Sequence, residues 1–197
     1  MEEIAPRWGA RSSKPGGAAK RSLVGSTPTL FRQKSPQPPF SKGGPGGIST
    51  AAQIMPDPFR GSVPADRLYD PRHDMWVRRE DGEVVIGATS FGLHLAGEVI
   101  AFTPKPKGAE VAAGRGLGTV ESAKTVLAVH SPVAFRLDTP NEDAEERPDL
   151  INRDPYGAGW MARGAPLDWD ADAAHLVDAA AYVEHILAIE PAAVIEA

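Results

Sequence analysis

From Val63 onward the sequence consists of short apolar runs separated by turn-forming residues. This spacing is typical of an antiparallel β protein, in which strands of about five or six residues alternate with tight turns. The first hairpin is predicted from residues 76–79 and 83–87, which flank Glu80-Asp81-Gly82. The Asp-Gly pair supplies the positive φ that such a turn requires. We therefore expect a mainly β domain.

Three further segments continue the pattern. Residues 89–96 predict a short helical turn, and residues 97–102 alternate polar and apolar side chains as a half-buried strand does. Residues 119–130 form a run longer than an ordinary strand. A reversal is therefore expected near its middle, although no Gly, Asn or Asp marks the position.

The last third of the chain changes character. Residues 141–147 are predicted to form an acidic loop. Beyond them, apolar residues recur at helical spacing at Leu176, Ala180, Val183 and Leu187. This periodicity predicts one helix over roughly residues 170–189 that packs against the sheet. Three acidic residues near its start are available as caps and complement the helix dipole: Asp168, Asp170 and Asp172.

The first 54 residues differ in composition from the rest. They hold eight Lys or Arg and two Asp or Glu, a net charge of +6, which leaves −11 on the remainder of a chain whose total is −5. Residues 1–50 contain eight Gly, seven Pro and seven Ser, so they have little apolar surface to bury. We expect residues 1–54 to be a disordered leader and residues 63–190 to be the folded domain.

Three interpretations of this leader remain open: an upstream extension with the natural start at Met55, an organellar transit peptide, or a basic tail that binds nucleic acid. Frequent Pro and Gly interrupt any amphipathic helix, and the basic residues lack interleaved aromatics, so we favour the first. No window is long and apolar enough for a membrane span. The expected location is cytoplasmic, or mitochondrial if the leader is a transit peptide, with no nucleic-acid or membrane partner.

Composition and spacing exclude several kinds of active site. The chain has zero cysteines, which excludes disulfides, thiol nucleophiles and thiolate metal sites. Its five histidines lack metal-ligand spacing, and residues 168–172 lack the Gly and Glu of a calcium loop. The glycines of residues 114–118 match no nucleotide-binding fingerprint, which predicts a turn with close backbone approach. We expect no metal site and no catalytic residue.

Four motifs within residues 69–185 are specific enough to compare with known families. They are Tyr69-x-x-x-His73 followed by Trp76, Ile86-Gly87-Ala88-Thr89, Val120-Glu121-Ser122-Ala123-Lys124, and Pro148-Asp149-Leu150-Ile151-Asn152 with Asp154-Pro155-Tyr156-Gly157-x-Gly159-Trp160. Together they resemble the H protein of the glycine cleavage system. The heptapeptide in the fourth motif matches by chance on the order of once in 10⁸ placements. Two departures stand out: one extra residue between His73 and Trp76, and Ala134-Phe135 in place of the usual Ser-Gly. Because Phe does not easily adopt positive φ, that second turn must be rebuilt.

The resemblance implies a barrel-sandwich hybrid, a flattened barrel of two antiparallel sheets with a C-terminal α-helix. It also implies that Lys124 lies at a hairpin tip and carries covalently bound lipoate. By the same resemblance, Glu121 is a recognition charge for the lipoate-attaching enzyme, and His73 lines the cleft that shelters the lipoyl arm. The chain is then a non-catalytic carrier.

As such a carrier, it would shuttle the aminomethyl group of glycine between glycine decarboxylase (P protein) and aminomethyltransferase (T protein). Dihydrolipoamide dehydrogenase (L protein) would reoxidise the dithiol. Two alternatives remain open. One is an H-like lipoyl carrier of a heterodisulfide-reductase-like sulfur oxidation pathway, and the other is a structural homologue without lipoate, in which Lys124 is a solvated surface charge.

Overall fold

The computed structural model describes residues 57–196, so the predicted leader, residues 1–54, lies outside the described residues. The strands are β1 Arg60–Ser62, β2 Leu68–Asp70, β3 Met75–Glu80, β4 Glu83–Ala88, β5 Val99–Pro104, β6 Glu110–Val111, β7 Gly116–Ser122, β8 Val126–His130, β9 Phe135–Pro140, β10 Ala162–Pro166 and β11 Val194–Glu196. The helices are α1 Ser90–Ala96, α2 Glu142–Glu146, α3 Asp149–Arg153, α4 Trp169–Ala173 and α5 Ala179–Ile189.

Two antiparallel sheets form the body of the described chain. One has six strands in the order β2-β3-β4-β10-β9-β6, and the other has three strands in the order β5-β7-β8. Strands of both sheets contribute buried side chains to one apolar core, among them Val77, Ile86, Phe102, Leu117 and Phe135. The predicted fold class, two antiparallel sheets with a helix near the C-terminus, is confirmed.

The first hairpin has the predicted turn. Glu80 pairs with Glu83 across a two-residue connection, and both connecting residues have positive φ, 51° at Asp81 and 86° at Gly82. Two consecutive positive φ values define a type I′ turn, whose twist matches that of the flanking strands. The short helix predicted over residues 89–96 is also present as α1, because the Thr89 side chain accepts a hydrogen bond from the Gly92 N–H and caps it.

The prediction of a single helix over residues 170–189 is wrong. The first helix, α4, ends at Ala173, and α5 begins at Ala179. Between them, the Val177 backbone pairs with Tyr69 of the edge strand β2 through two hydrogen bonds of 2.9 Å. Pairing with the sheet edge takes this segment out of the helical conformation, and the Asp178 carboxylate then accepts from the Ala181 N–H to start a new helix. Asp168 caps α4, as predicted.

The predicted acidic loop at residues 141–147 is instead largely helical, as α2. The side-chain oxygen of Asn141 accepts a hydrogen bond from the Ala144 N–H at 3.2 Å. The side-chain NH2 group of Asn141 donates to the backbone carbonyls of residues 158 and 160. Ala144 is fully buried in the core. A good cap and one buried apolar residue are therefore enough to fold this acidic segment as a short helix.

Beyond the two sheets, β1 and β11 form a parallel pair that the sequence did not predict and that lies outside the predicted domain bounds, 63–190. Phe59, just before β1, is buried edge-on against Phe91. The backbone N–H of Phe59 donates to the Glu190 carboxylate at 3.0 Å, and its carbonyl accepts from Val194. We call these contacts the terminal clasp.

Phe135, which stands where the resembled family usually has Gly, is fully buried in β9. The turn before it contains no residue with positive φ. It is held instead by the Ala134 N–H, which donates to the Asp172 carboxylate at 2.6 Å, and by the Ser131 hydroxyl, which donates to the Val133 carbonyl at 2.6 Å. None of the described helices is long and apolar enough to cross a membrane.

Candidate functional site

The site starts at the hairpin that joins β7 to β8. Glu121 pairs with Val126, and the Ser122 N–H donates to the Thr125 carbonyl at 2.8 Å, which closes a tight turn. The Lys124 N–H is 3.4 Å from the Ser122 hydroxyl. The predicted reversal within residues 119–130 is confirmed, and Lys124 lies within this turn.

The Lys124 side chain projects into solvent. The residue is exposed, and its amine makes no hydrogen bond or ion pair with any residue between 57 and 196. The backbone of the turn is held by Ser122 while the amine stays free. Such an arrangement presents a nucleophile in a defined position without burying it.

Asn152, a residue of the fourth sequence motif, holds the strand next to the turn, and we call its contacts with Val99 the Asn152 clamp. The Asn152 side chain, on α3, accepts from the Val99 N–H at 2.9 Å and donates to the Val99 carbonyl at 2.8 Å. Val99 is the strand partner of Ser122 at the base of the turn. The motif therefore positions the hairpin that carries Lys124, a role that its sequence alone did not reveal.

The remaining part of this motif is structural as well. The Trp76 indole N–H donates to the Pro155 carbonyl at 3.0 Å. The guanidinium of Arg67 lies 4.6 Å from the Trp76 ring and 5.1 Å from the Tyr156 ring. These contacts attach the segment that follows α3 to the six-stranded sheet.

Glycine is required at position 118, where β7 pairs closely with β5. A Cβ atom added to Gly118 would lie 2.7 Å from the Thr103 carbonyl oxygen and 3.0 Å from Pro104 Cα. Both obstacles are backbone atoms, so a side chain at this position would push the strands apart. The close backbone approach predicted for residues 114–118 is thus observed at Gly118.

The outward face of β8 leads away from Lys124. Because side chains alternate along a strand, Val126, Ala128 and His130 point to the same face. Val126 is 60% exposed, and Ala128 is also exposed. From Val126 to His130 the strand covers about 13 Å. We call this row the β8 track.

At the far end of the β8 track, two imidazole rings stack. The ring centroids of His130 and His73 are 4.7 Å apart and the rings are inclined by 21°. His73 Nδ1 lies 2.8 Å from a carboxylate oxygen of Asp70, which is fully buried. The Arg72 backbone N–H and its Nε donate to the other oxygen of Asp70 at 3.0 Å each.

The pKa values of this cluster follow from its contacts. Burial acts to raise the pKa of Asp70, but its hydrogen bonds with His73 and Arg72 outweigh burial and hold that pKa below its usual value. Burial lowers the pKa of His130, and the neighbouring His73 lowers it further because two stacked imidazoles resist a second positive charge. His130 is therefore an uncharged base at neutral pH.

The residue that follows His73 has an unusual backbone conformation. Asp74 has a φ of 53°, and its carboxylate accepts from the Tyr182 hydroxyl at 2.8 Å in a buried setting. Tyr182, on α5, stacks on Tyr69 with ring centroids 4.6 Å apart. Burial raises the pKa of Asp74 despite the hydrogen bond from Tyr182. This residue thus ties the His73 segment to α5.

We expect Asp74→Asn to stabilise the protein at neutral pH and to flatten part of its pH dependence. A carboxyl whose pKa is raised by folding binds its proton more tightly in the native state, so its contribution is favourable at low pH. That contribution is lost as the pH rises from the unfolded value of 3.8 through the raised native pKa. Urea unfolding of both proteins at several pH values measures the difference.

Asp81→Asn is the matched control for this prediction. Asp81 is the other non-glycine residue with positive φ among residues 57–196, and it is exposed in the first hairpin turn. Asn tolerates this backbone conformation as Asp does. A gain in stability that is equal in the two variants, or a pH profile unchanged by Asp74→Asn, would contradict the prediction.

The structure brings some of the predicted site residues together and separates others. Glu121 is exposed and lies in the strand that leads into the Lys124 turn. His73 lies beyond the opposite end of the β8 track. Sequence reasoning missed His130 and Asp70, although the alternation of β8 could have placed His130 on the same face as Val126. No group of three potential metal ligands is present in the described part of the chain.

Comparisons with known proteins identify this fold as that of a small β carrier domain. The crystal structure of a glycine cleavage system H protein from Mycobacterium marinum matches it with a TM-score of 0.55 and 30% sequence identity. The match covers 62% of this chain and 97% of that one. The family model for the glycine cleavage H-protein matches residues 67–189. The chain belongs to the glycine cleavage H-protein family, as its motifs predicted.

Curated relatives agree with this assignment. The glycine cleavage system H protein of Laribacter hongkongensis is 40% identical over 126 residues, which cover 64% of this chain and 98% of that protein. Glycine cleavage system H protein 5 of Aquifex aeolicus is 39% identical over 121 residues, which cover 59% of this chain and 82% of that protein. The similarity therefore extends over nearly the whole length of the first of these relatives.

Proposed function

We propose that this protein is the lipoyl carrier of a glycine cleavage system and that Lys124 is the attachment site. The observation that carries the proposal is the exposed, unpaired amine of Lys124 on a clamped hairpin turn, in a chain of the H-protein family. A solvated amine is open to an enzyme from outside, and a fixed turn offers that enzyme one backbone shape to recognise.

Attachment is an acyl transfer to the Lys124 amine. The ammonium loses one proton, and the free electron pair of Nζ bonds to the carbonyl carbon of a lipoyl group activated as a mixed anhydride. The bond from that carbon to the activating oxygen breaks, the activating group leaves with its electron pair, and Nζ loses a second proton to become an amide. The lipoate-attaching enzyme supplies the activated group, and we assign Glu121 as the charge that it recognises.

When bound, the lipoyl group would supply a dithiolane that takes up the aminomethyl group of glycine and is reduced in doing so, and the dithiol left after unloading would be reoxidised. The residues of the chain itself hold and surround the arm. The exposed side chains of Val126 and Ala128 leave an open path beside Lys124, and His73 lines the end of that path as part of the arm cleft. The Asp70 carboxylate accepts three hydrogen bonds from Arg72 and holds His73 in place through its contact with Nδ1.

The partners follow from this role. Glycine decarboxylase (P protein) loads the arm, aminomethyltransferase (T protein) unloads it and dihydrolipoamide dehydrogenase (L protein) reoxidises it. A carrier domain of residues 63–190 performs no catalysis alone, and it gains rate because an attached arm keeps its reactive end at high local concentration. We place the protein in the cytoplasm, which suits the bacterial sources of its relatives.

Intact-mass analysis tests the attachment site. After incubation with a lipoate-attaching enzyme, ATP and lipoate, the protein is expected to gain the mass of one lipoyl group, and Lys124→Arg is expected to gain none. Lys107→Arg, which changes another exposed lysine, is the matched control and should gain the full increment. A lipoyl increment that persists in Lys124→Arg would refute the assignment.

A further inference from the structure

Asp70, His73 and His130 form a cluster that lipoate attachment does not require. It joins a buried carboxylate to one imidazole and stacks that imidazole on a second. His73 and His130 are both partly exposed, so the cluster opens to solvent at its outer end. A charged carboxylate behind paired imidazoles is an arrangement that can take up a proton.

The cluster is within reach of the group proposed at Lys124. Lys124 lies two residues before Val126, so at most about 20 Å of extended chain separates the Cα atoms of Lys124 and His130. A lysine side chain that bears the lipoyl chain has about twelve bonds from Cα to the first sulfur, or about 15 Å when extended, and the imidazole of His130 reaches about 5 Å from its own Cα. His130 is the first ionisable side chain on the outward face of β8 along that path.

We propose that His130, supported by His73 and Asp70, accepts the proton of a thiol on the reduced lipoyl arm. This inference rests on the lipoyl attachment at Lys124 proposed above. The sulfur–hydrogen bond breaks, its electron pair stays on sulfur, and the hydrogen bonds to a ring nitrogen of His130. No electron is gained or lost, and the uncharged pair becomes an imidazolium beside a thiolate.

The charged groups around His130 suit this step. Asp70 faces it from the end of β2, His73 faces it from the connection between β2 and β3, and Arg115 faces it from the turn before β7. Burial, His73 and Arg115 lower the pKa of His130, so the free imidazole is unprotonated and available as an acceptor at neutral pH, while Asp70 and the Ala128 carbonyl favour its charged form. A thiolate next to an imidazolium is the reactive form of a thiol near neutral pH.

The chain offers a clean measurement because it contains no cysteine. With the arm attached and reduced, alkylation by iodoacetamide therefore reports on the arm thiols. The rate is followed by intact mass between pH 5 and pH 10 for the lipoylated protein and for its His130→Gln variant. We expect the profile of the unaltered protein to show an inflection in the imidazole range, and the rate at pH 7 to fall about tenfold in His130→Gln.

Two more variants keep the test decisive. His175→Gln changes an exposed histidine on another part of the surface and should leave the profile unchanged. His73→Gln retains His130 but removes a neighbour that lowers the pKa of His130, so the inflection is expected to move to higher pH. Identical profiles for the unaltered protein, His130→Gln and His73→Gln would overturn the inference while leaving the carrier function intact. Absence of any lipoyl increment would overturn both.

Discussion

Glycine–bicarbonate exchange is expected to fall to background when Lys124 is replaced by arginine. Exchange by a cognate glycine decarboxylase requires the arm, and the arm requires an amine that can be acylated. Arginine keeps the positive charge of the side chain, but its guanidinium stays protonated and offers no free electron pair. Incorporation of labelled bicarbonate into glycine measures the effect.

The fold of that variant should be unaffected, because Lys124 is exposed and its side chain contacts no partner within residues 57–196. Lys107→Arg supplies the comparison and should retain full exchange. If Lys124→Arg supports exchange at more than a trace, another group carries the arm. If the lipoylated protein supports none, the partner enzymes belong to another pathway, such as the sulfur oxidation system.

Trp76→Ala is expected to lower the free energy of unfolding by about 3–5 kcal/mol, the usual cost of removing a fully buried large aromatic side chain. Trp76 is 1% exposed, and its ring packs against the backbone of Gly87. The substitution also leaves the Pro155 carbonyl without its donor and removes one of the two aromatic rings that contact the Arg67 guanidinium. Urea-induced unfolding, followed by circular dichroism, measures the change.

Trp169→Ala is the comparison for this prediction. Trp169 is only partly buried at the edge of the main core, where its ring lies 5.2 Å from the guanidinium carbon of Arg79. Its removal should cost less than about 2 kcal/mol, because part of the ring already contacts water. Equal losses in the two variants would contradict the prediction that the fully buried Trp76 contributes more to stability than the partly buried Trp169.

Local signals in the sequence were sufficient where one short segment decides the structure. The Asp81-Gly82 turn fixed the first hairpin, and Thr89 fixed the start of α1. The C-terminal helix failed for the opposite reason. The break at Val177 depends on a pairing with Tyr69, more than a hundred residues away in the chain, and no helical periodicity records such a contact.

The candidate site was likewise predicted only in part, because some of its features depend on contacts between distant parts of the chain. The family motif located Lys124, and the structure added what holds it: the Ser122 hydrogen bonds and the Asn152 clamp on Val99. The turn itself has no Gly, Asn or Asp, so composition could not place it. His130 went unrecognised because a lone histidine in a strand acquires meaning only when its neighbour, here His73, is known.

The terminal clasp has a consequence for the order in which the protein assembles. The hydrogen bond from Phe59 to Glu190 joins residues 131 positions apart, and closing so long a loop of unstructured chain has a large entropic cost. The cost falls once the sheets between them are in place, so we expect the clasp to form late, after the folding transition state. Its few contacts should also open first in the native protein, with amide protons at Phe59 and Val194 exchanging sooner than those of the central strands.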